Sequence, residues 1–266
     1  MSIMQAFWLG LVQGITEFLP ISSTGHLDLV QRLFGFSTEN FLSLDVLLHL
    51  GTLAAVVVVY WKRLWNMVRH PVKSELWLLV VATIPTVIAA LLFKDSLDRL
   101  SGEYIGFAFL ITTLILWLSD LVSGVSFQTK EVKWYNALVM GVMQAVAILP
   151  GISRSGSTIS GGIATGLSRK RAADFAFLMS VPAILGAIVL EFMHSGSSVF
   201  DAATIQQMGG WLPLIVGVIT SAAFGFLAIK FMLSIVRRVR LIWFGVYTGV
   251  LGIAILLDQY VFHKFF

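Results

Sequence analysis

Glu17, Ser23 and His26 fall within a ten-residue stretch, and Arg154 follows far downstream, in a chain that is otherwise very apolar. The first three belong to Glu17-Phe-Leu-Pro-Ile-Ser-Ser-Thr-Gly-His26, the fourth to Pro150-Gly-Ile-Ser-Arg-Ser-Gly-Ser-Thr158. A hydroxyl beside an imidazole and a carboxylate has the parts of an activated nucleophile. A guanidinium, permanently charged and forked, matches phosphate oxygens. Together these groups point to phosphate chemistry. Ionisable side chains are costly in apolar segments and mark functional sites there. Arg154 in particular needs an anion, either a bound phosphate or Glu17 when no substrate is present.

Local sequence says how these groups are displayed. Pro20 and Pro150 each end the preceding helix, because proline removes a backbone donor and restrains the residue before it. The hydroxyl clusters Ser22-Ser23-Thr24-Gly25 and Ser153-Arg154-Ser155-Gly156-Ser157 then open a returning helix, since serine and threonine are favoured caps. Two helix N-termini facing one cavity would bind a phosphate through free N–H groups and partial positive charge. Ser22, Thr24, Ser157 and Thr158 read first as caps and packing residues. The candidate substrate-binding set is Gln13, Ser22, Thr24, Gly25, Ser153, Ser155, Gly156 and Thr158. Gln13 and Glu17, four residues apart, share a helix face. His49, deep in the second apolar stretch, reads as a packed, hydrogen-bonded histidine.

The elements that must position these residues are membrane helices. The chain has 266 residues, of which 58% are hydrophobic and 12% charged, and its mean hydropathy is +0.89. A soluble domain carries roughly 25% charged residues, so this is an integral membrane protein without a separate soluble domain. The absence of cysteine excludes disulfides and thiolate metal sites. The net charge of +4 sits in short loops and reports topology rather than affinity for nucleic acid. The N-terminus lacks the basic region and cleavage site of a signal peptide.

Six stretches are long enough to cross the bilayer: 41–61, 76–93, 104–122, 172–193, 211–229 and 241–262. Two shorter ones, 3–19 and 135–149, lead into the polar motifs. Loops 62–75, 123–133, 168–171 and 230–240 are basic, whereas 94–103 is balanced and 194–210 has no Lys or Arg. The positive-inside rule places the first four in the cytoplasm and the last two outside. Segment 134–167 must then enter and leave the membrane on one side as a re-entrant hairpin, and 3–35 forms a second hairpin from the opposite face. Irregular backbone at that depth has to be buried in protein or line a wet cavity.

The halves resemble each other. Gly10-x-x-Gln13 recurs as Gly141-x-x-Gln144 and Ser22 as Ser153 at an offset of 131, while Leu19-Pro20 matches Leu149-Pro150 at 130. Asp45 and Asp174 each open the next long span. One hairpin plus three spans per repeat makes the second copy inverted, an architecture that places substrate at the repeat interface. The expected fold is therefore an all-α polytopic membrane protein. It has six transmembrane helices plus two re-entrant hairpins in a single domain over 1–266, with repeats near 1–125 and 132–266.

At these motifs the chain resembles the undecaprenyl-diphosphate phosphatase family, also called the bacitracin-resistance protein family. Gln13-Gly-Ile-Thr-Glu17 matches the family's (E/Q)xxxE signature, Phe18 to His26 continues it, and Pro150 to Thr158 matches PGxSRSxxT. The resemblance implies hydrolysis of undecaprenyl diphosphate to the monophosphate carrier of cell-wall synthesis, with Glu17, Ser23, His26 and Arg154 essential. It further implies a divalent cation, Mg²⁺ or Ca²⁺, with Glu17 as a candidate ligand. It also implies a bacterial cytoplasmic membrane with the active site toward the outer face, a polyprenyl diphosphate and membrane lipids as partners, and room for a homodimer. Gln13 stands where many members have glutamate, which removes one carboxylate from any scheme using both as ligands. The nucleophile stays open between Ser23, His26 and water. A transporter or flippase for a phosphorylated lipid would use the same hairpins, but has no need of the Glu–Ser–His grouping.

Overall fold

In the computed structural model, residues 1–35, 41–97, 104–122, 129–195, 202–236 and 238–263 are described. The chain forms α1 (Ile3–Phe18), α2 (Ser23–Phe34), α3 (Phe41–Arg69), α4 (Leu76–Leu97), α5 (Ile105–Val122) and α6 (Trp134–Val146). It continues with α7 (Arg154–Ala164), α8 (Arg169–Ser195), the short α9 (Ala202–Gln207), α10 (Trp211–Ile235) and α11 (Ile242–Leu257). A π-helical turn over Asp258–Phe262 extends α11. Strand structure among the described residues is limited to one isolated bridge between Thr129 and Leu167.

Six of these helices are long and apolar enough to cross a membrane: Leu44–Arg69, Leu76–Phe93, Ile105–Val122, Arg169–Leu190, Trp211–Ile235 and Ile242–Phe262. Their outer faces expose Val58, Leu91, Leu114, Ile219 and Val250, a surface suited to hydrocarbon rather than water. The protein is thus an all-α, multi-pass membrane protein, as its composition requires. The sequence stretches agree closely with the helices, with one consistent correction. Helix α3 runs through Lys62 and Arg63 to Arg69, α8 begins at Arg169, and α10 includes Lys230, so much of the basic "loops" is helical. Long Lys and Arg side chains let a helix continue while the charge reaches the polar side. Loop 94–103 from position 98 onward, 123–128, 196–201 and Arg237 lie outside the described residues.

Packing rests on small residues. Helix α1 lies along α10, and α3 lies on the other flank of α10. A methyl on Gly14 would meet the Ser221 carbonyl at 2.7 Å, and Gly10 has the Gly217 carbonyl where its side chain would be. Gly51 of α3 likewise faces the Val218 carbonyl, and Ser221 donates to the Leu48 carbonyl at 2.7 Å. Such small-residue contacts let membrane helices approach backbone to backbone. Helix α6 packs on α4 in the same way, with Gly141 against the Ala82 carbonyl. Helix α1 therefore docks on the second half of the chain and α6 on the first half.

Ion pairs gather near the ends of the spans. Asp174 accepts from Tyr60 at 3.0 Å and from Arg171 at 2.8 Å, and Arg63 and Arg171 both bridge to Glu75. Asp120 accepts from Arg169 at 2.6 Å and from the Ile242 N–H at 2.8 Å. These networks join α3, α4 and α8, and α5, α8 and α11.

Candidate active site

Helix α1 stops before Pro20, and α2 begins at Ser23 with Ser22 as its cap. Ser22 Oγ accepts from the Gly25 N–H at 3.3 Å, and its φ of 71° is uncommon for a residue with a Cβ. The second turn has the same plan. Ser153 caps α7 by accepting from the Gly156 N–H at 3.0 Å, and Gly151, with φ 89°, lies so close to Ala108 that a Cβ would sit 2.8 Å from its methyl. The two motifs thus open their returning helices through matching serines. Their turns also touch. The Gly151 N–H donates to Thr24 Oγ1 at 3.2 Å, and Ser155 Oγ donates to the Leu19 carbonyl at 2.7 Å. Thr112 of α5 accepts from the Ser153 N–H at 3.0 Å and steadies the second turn.

Glu17 lies at the centre of this junction and is only 5% exposed. A buried carboxylate has to be paired and hydrogen-bonded, and Glu17 is both. Its Oε2 accepts from Ser23 Oγ at 2.6 Å and from Gln13 Nε2 at 3.2 Å. Its Oε1 pairs with the Arg154 guanidinium. His49 Nε2 stands 3.5 Å from Oε2. Gln13, Glu17, Ser23 and Arg154 are thereby gathered from α1, α2 and α7.

His26 is placed differently. Its Nδ1 lies 2.6 Å from the Ser22 carbonyl, so Nδ1 carries a proton, and Nε2 lies 2.7 Å from the Tyr247 hydroxyl. The ring stacks on Tyr247 and meets Phe109 edge-on. Its hydrogen bonds therefore run to Ser22 and Tyr247, while the Ser23 hydroxyl is directed at Glu17. Thr158 donates back to the Arg154 and Ser155 carbonyls at 2.8 and 3.2 Å, inside its own helix.

His49 is hydrogen-bonded as its sequence reading expects, with Nδ1 on the Asp45 carbonyl at 2.8 Å; for the approach of its Nε2 to Glu17 the spacing of four from Asp45 is the available signal. Tyr247 gave none, because its role depends on α11 passing beside α2. At an offset of 131 from Glu17 stands Ile148. Gln144, at the same offset from Gln13, donates to Thr86 at 3.0 Å.

Hard divalent cations take oxygen ligands. Gln13 Oε1 is buried without a hydrogen-bond partner among the described residues, next to the Glu17 carboxylate. Among the described residues no group of three His, Asp or Glu is assembled around such an ion.

The family described as bacitracin resistance protein BacA matches residues 6–254. The chain is 43% identical over 261 residues to an undecaprenyl-diphosphatase of Carboxydothermus hydrogenoformans, covering 97% of this chain and 98% of that one. It is 40% identical over 267 residues to an undecaprenyl-diphosphatase of Halothermothrix orenii, covering 98% and 100% respectively. A Bacillus cereus protein named undecaprenyl-diphosphatase 3 is 42% identical over 264 residues, covering 98% of each chain. With the two motifs joined in one buried site and the likeness running from end to end, this chain belongs to the BacA family of bacitracin resistance proteins.

Proposed function

We propose that this membrane protein hydrolyses undecaprenyl diphosphate to undecaprenyl phosphate and inorganic phosphate, returning the lipid carrier to cell-wall synthesis and conferring bacitracin resistance. The observation that carries the mechanism is the 2.6 Å hydrogen bond from Ser23 to Glu17 beside Arg154. In the resting site Arg154 is held by Glu17. An incoming diphosphate takes over the guanidinium and is received by the N–H groups opening α2 and α7. Ser23 Oγ attacks the terminal phosphorus, its proton passes to Glu17, the bond to the bridging oxygen breaks, and undecaprenyl phosphate leaves with that proton. Water then attacks the phosphoserine, giving a proton to the freed Glu17 carboxylate, which returns it to Ser23 Oγ as the phosphorus–Oγ bond breaks and phosphate leaves. His26 lies three residues beyond Ser23 on one face of α2, its ring fixed by Ser22 and Tyr247. Catalysis is mainly positioning and charge stabilisation. A divalent cation bound by Gln13 Oε1 and Glu17 would neutralise phosphate charge.

In the membrane, α1–α2 and α6–α7 are read as re-entrant hairpins. Helices α2 and α7 have 12 and 11 residues, about 18 and 17 Å at 1.5 Å per residue, well short of the roughly 30 Å core. The exchanged docking of α1 on α10 and of α6 on α4 supports an inverted repeat with the site at its interface. The basic ends of α3, α8 and α10 support a cytoplasmic location for those ends and an outward-facing site in the bacterial cytoplasmic membrane.

Phosphate release from undecaprenyl diphosphate by detergent-purified protein tests the activity, with Ser23→Ala expected to abolish it. A wild type that releases no phosphate overturns the function, and a fully active Ser23→Ala overturns the serine mechanism. In this cysteine-free chain, a cysteine replacing Gln206 should label from outside and one replacing Val72 from inside. The reverse pattern overturns the orientation.

A further inference from the structure

Once substrate has drawn Arg154 away, Glu17 loses its strongest partner and has to stay aimed at Ser23 by other means. Gln13 supplies one contact on Oε2 at 3.2 Å. Among the described residues, the other polar group beside that oxygen, besides Ser23, is His49 Nε2 at 3.5 Å. His49 is itself secured. Its Nδ1 donates to the Asp45 carbonyl at 2.8 Å, one turn back on α3, and faces Asp45 Oδ1 at 3.5 Å. That carboxylate oxygen is buried and has no hydrogen bond of its own among the described residues. With Nδ1 tied to Asp45, the imidazole plane is set and Nε2 points to Glu17. The helix beneath it is equally constrained: Thr52 donates to the His49 carbonyl at 3.0 Å, and Gly51 and Leu48 seat α3 directly on α10. Because α1 is seated on α10 through Gly10 and Gly14, one helix sets the spacing between Glu17 and His49.

We infer that Asp45 and His49 form a positioning pair for the catalytic carboxylate: the His49 ring bridges Asp45 and Glu17 and holds Glu17 on Ser23 after the diphosphate has claimed Arg154. This rests on Glu17 acting as the base proposed above. The bridge matters in the substrate complex, when Arg154 is engaged elsewhere, so its loss falls on turnover rather than on substrate binding.

The test is steady-state phosphate release from undecaprenyl diphosphate by the full-length protein and three variants. His49→Leu is expected to lower kcat about ten- to hundred-fold, the usual cost of losing such a supporting partner, with KM little changed. His49→Gln places an amide N–H where Nε2 was and should recover most of the loss. His49→Asn keeps a group near the Nδ1 position, cannot reach Glu17, and should not. Unchanged kcat in His49→Leu, a defect confined to KM, or equal recovery by Asn and Gln each overturns the inference while leaving the proposed function intact. Should His49→Leu fail to fold, the Gln and Asn variants decide the matter between them. An inactive wild type overturns the proposed function and this inference with it.

Discussion

Ser23 donates its hydroxyl proton to Glu17 across the Pro20 turn, at 2.6 Å. That one bond joins the end of α1 to the start of α2 and gives the buried carboxylate a second partner besides Arg154. Glu17→Gln preserves size and hydrogen-bonding reach but cannot take a proton. It should reduce kcat about 100- to 10,000-fold, the range for losing a positioned base, as measured by phosphate release under saturating substrate.

Arg154 and Glu17 are a buried pair, and removing one partner leaves an uncompensated charge. Arg154→Ala should lower stability by about 3–5 kcal/mol and raise KM. Adding Glu17→Gln to Arg154→Ala should recover much of the thermal stability without recovering activity. A double variant no more stable than Arg154→Ala would show that the pair is not what holds the two turns together.

Tyr247 fixes the ring of His26 through a 2.7 Å hydrogen bond. Tyr247→Phe keeps the stacking and removes the hydroxyl, a loss of about 1 kcal/mol or roughly five-fold in rate. His26→Ala should cost far more. Equal defects in the two variants would mean that His26 contributes only through Tyr247.

Gly10 has no room for a side chain beside the Gly217 carbonyl. Gly10→Ala should cost about 1–3 kcal/mol, read as a lower melting temperature in detergent. Activity should fall as well, since α1 carries Gln13 and Glu17. The exposed Val58→Ala, on an outer face, should change neither.

Glu75 lies between spans and joins α3 to α8. Burial pushes its carboxyl up, but hydrogen bonds and charge from Arg171 and Arg63 more than reverse this and hold it below the ordinary carboxylate range. A group depressed on folding stabilises the fold above its unfolded pKa, and that contribution fades as pH falls through the folded value. Thermal melts should therefore decline on acidification below about pH 4, and Glu75→Gln should flatten that decline while lowering stability at neutral pH.

Much of this arrangement was legible locally. Six spans follow from runs of apolar residues long enough for hydrocarbon. The breaks at Pro20 and Pro150 and the caps at Ser22 and Ser153 follow from backbone chemistry within a few residues. The basic residues at the ends of α3, α8 and α10 continue their helices, because charge density at a span end does not say where helical hydrogen bonding stops. His49 is packed and hydrogen-bonded as its sequence suggests, but a histidine in an apolar run looks the same whether its other nitrogen faces another helix's side chains or a carboxylate.

What the sequence by itself determined was therefore the inventory and its local display: which helices form, where they break, and which polar groups stand at the breaks. Those features depend on interactions reaching only one helical turn or on transfer of whole segments into lipid. Only the tertiary structure decided the partnerships, Arg154 and His49 with Glu17 and Tyr247 with His26. These join residues distant in sequence, and the approach of His49 to Glu17 depends on backbones brought within a methyl group of α10 at Gly10, Gly14 and Gly51. A hydrogen bond is made or lost over less than an ångström, so helix packing assigned Ser23 to Glu17 and His26 to Tyr247.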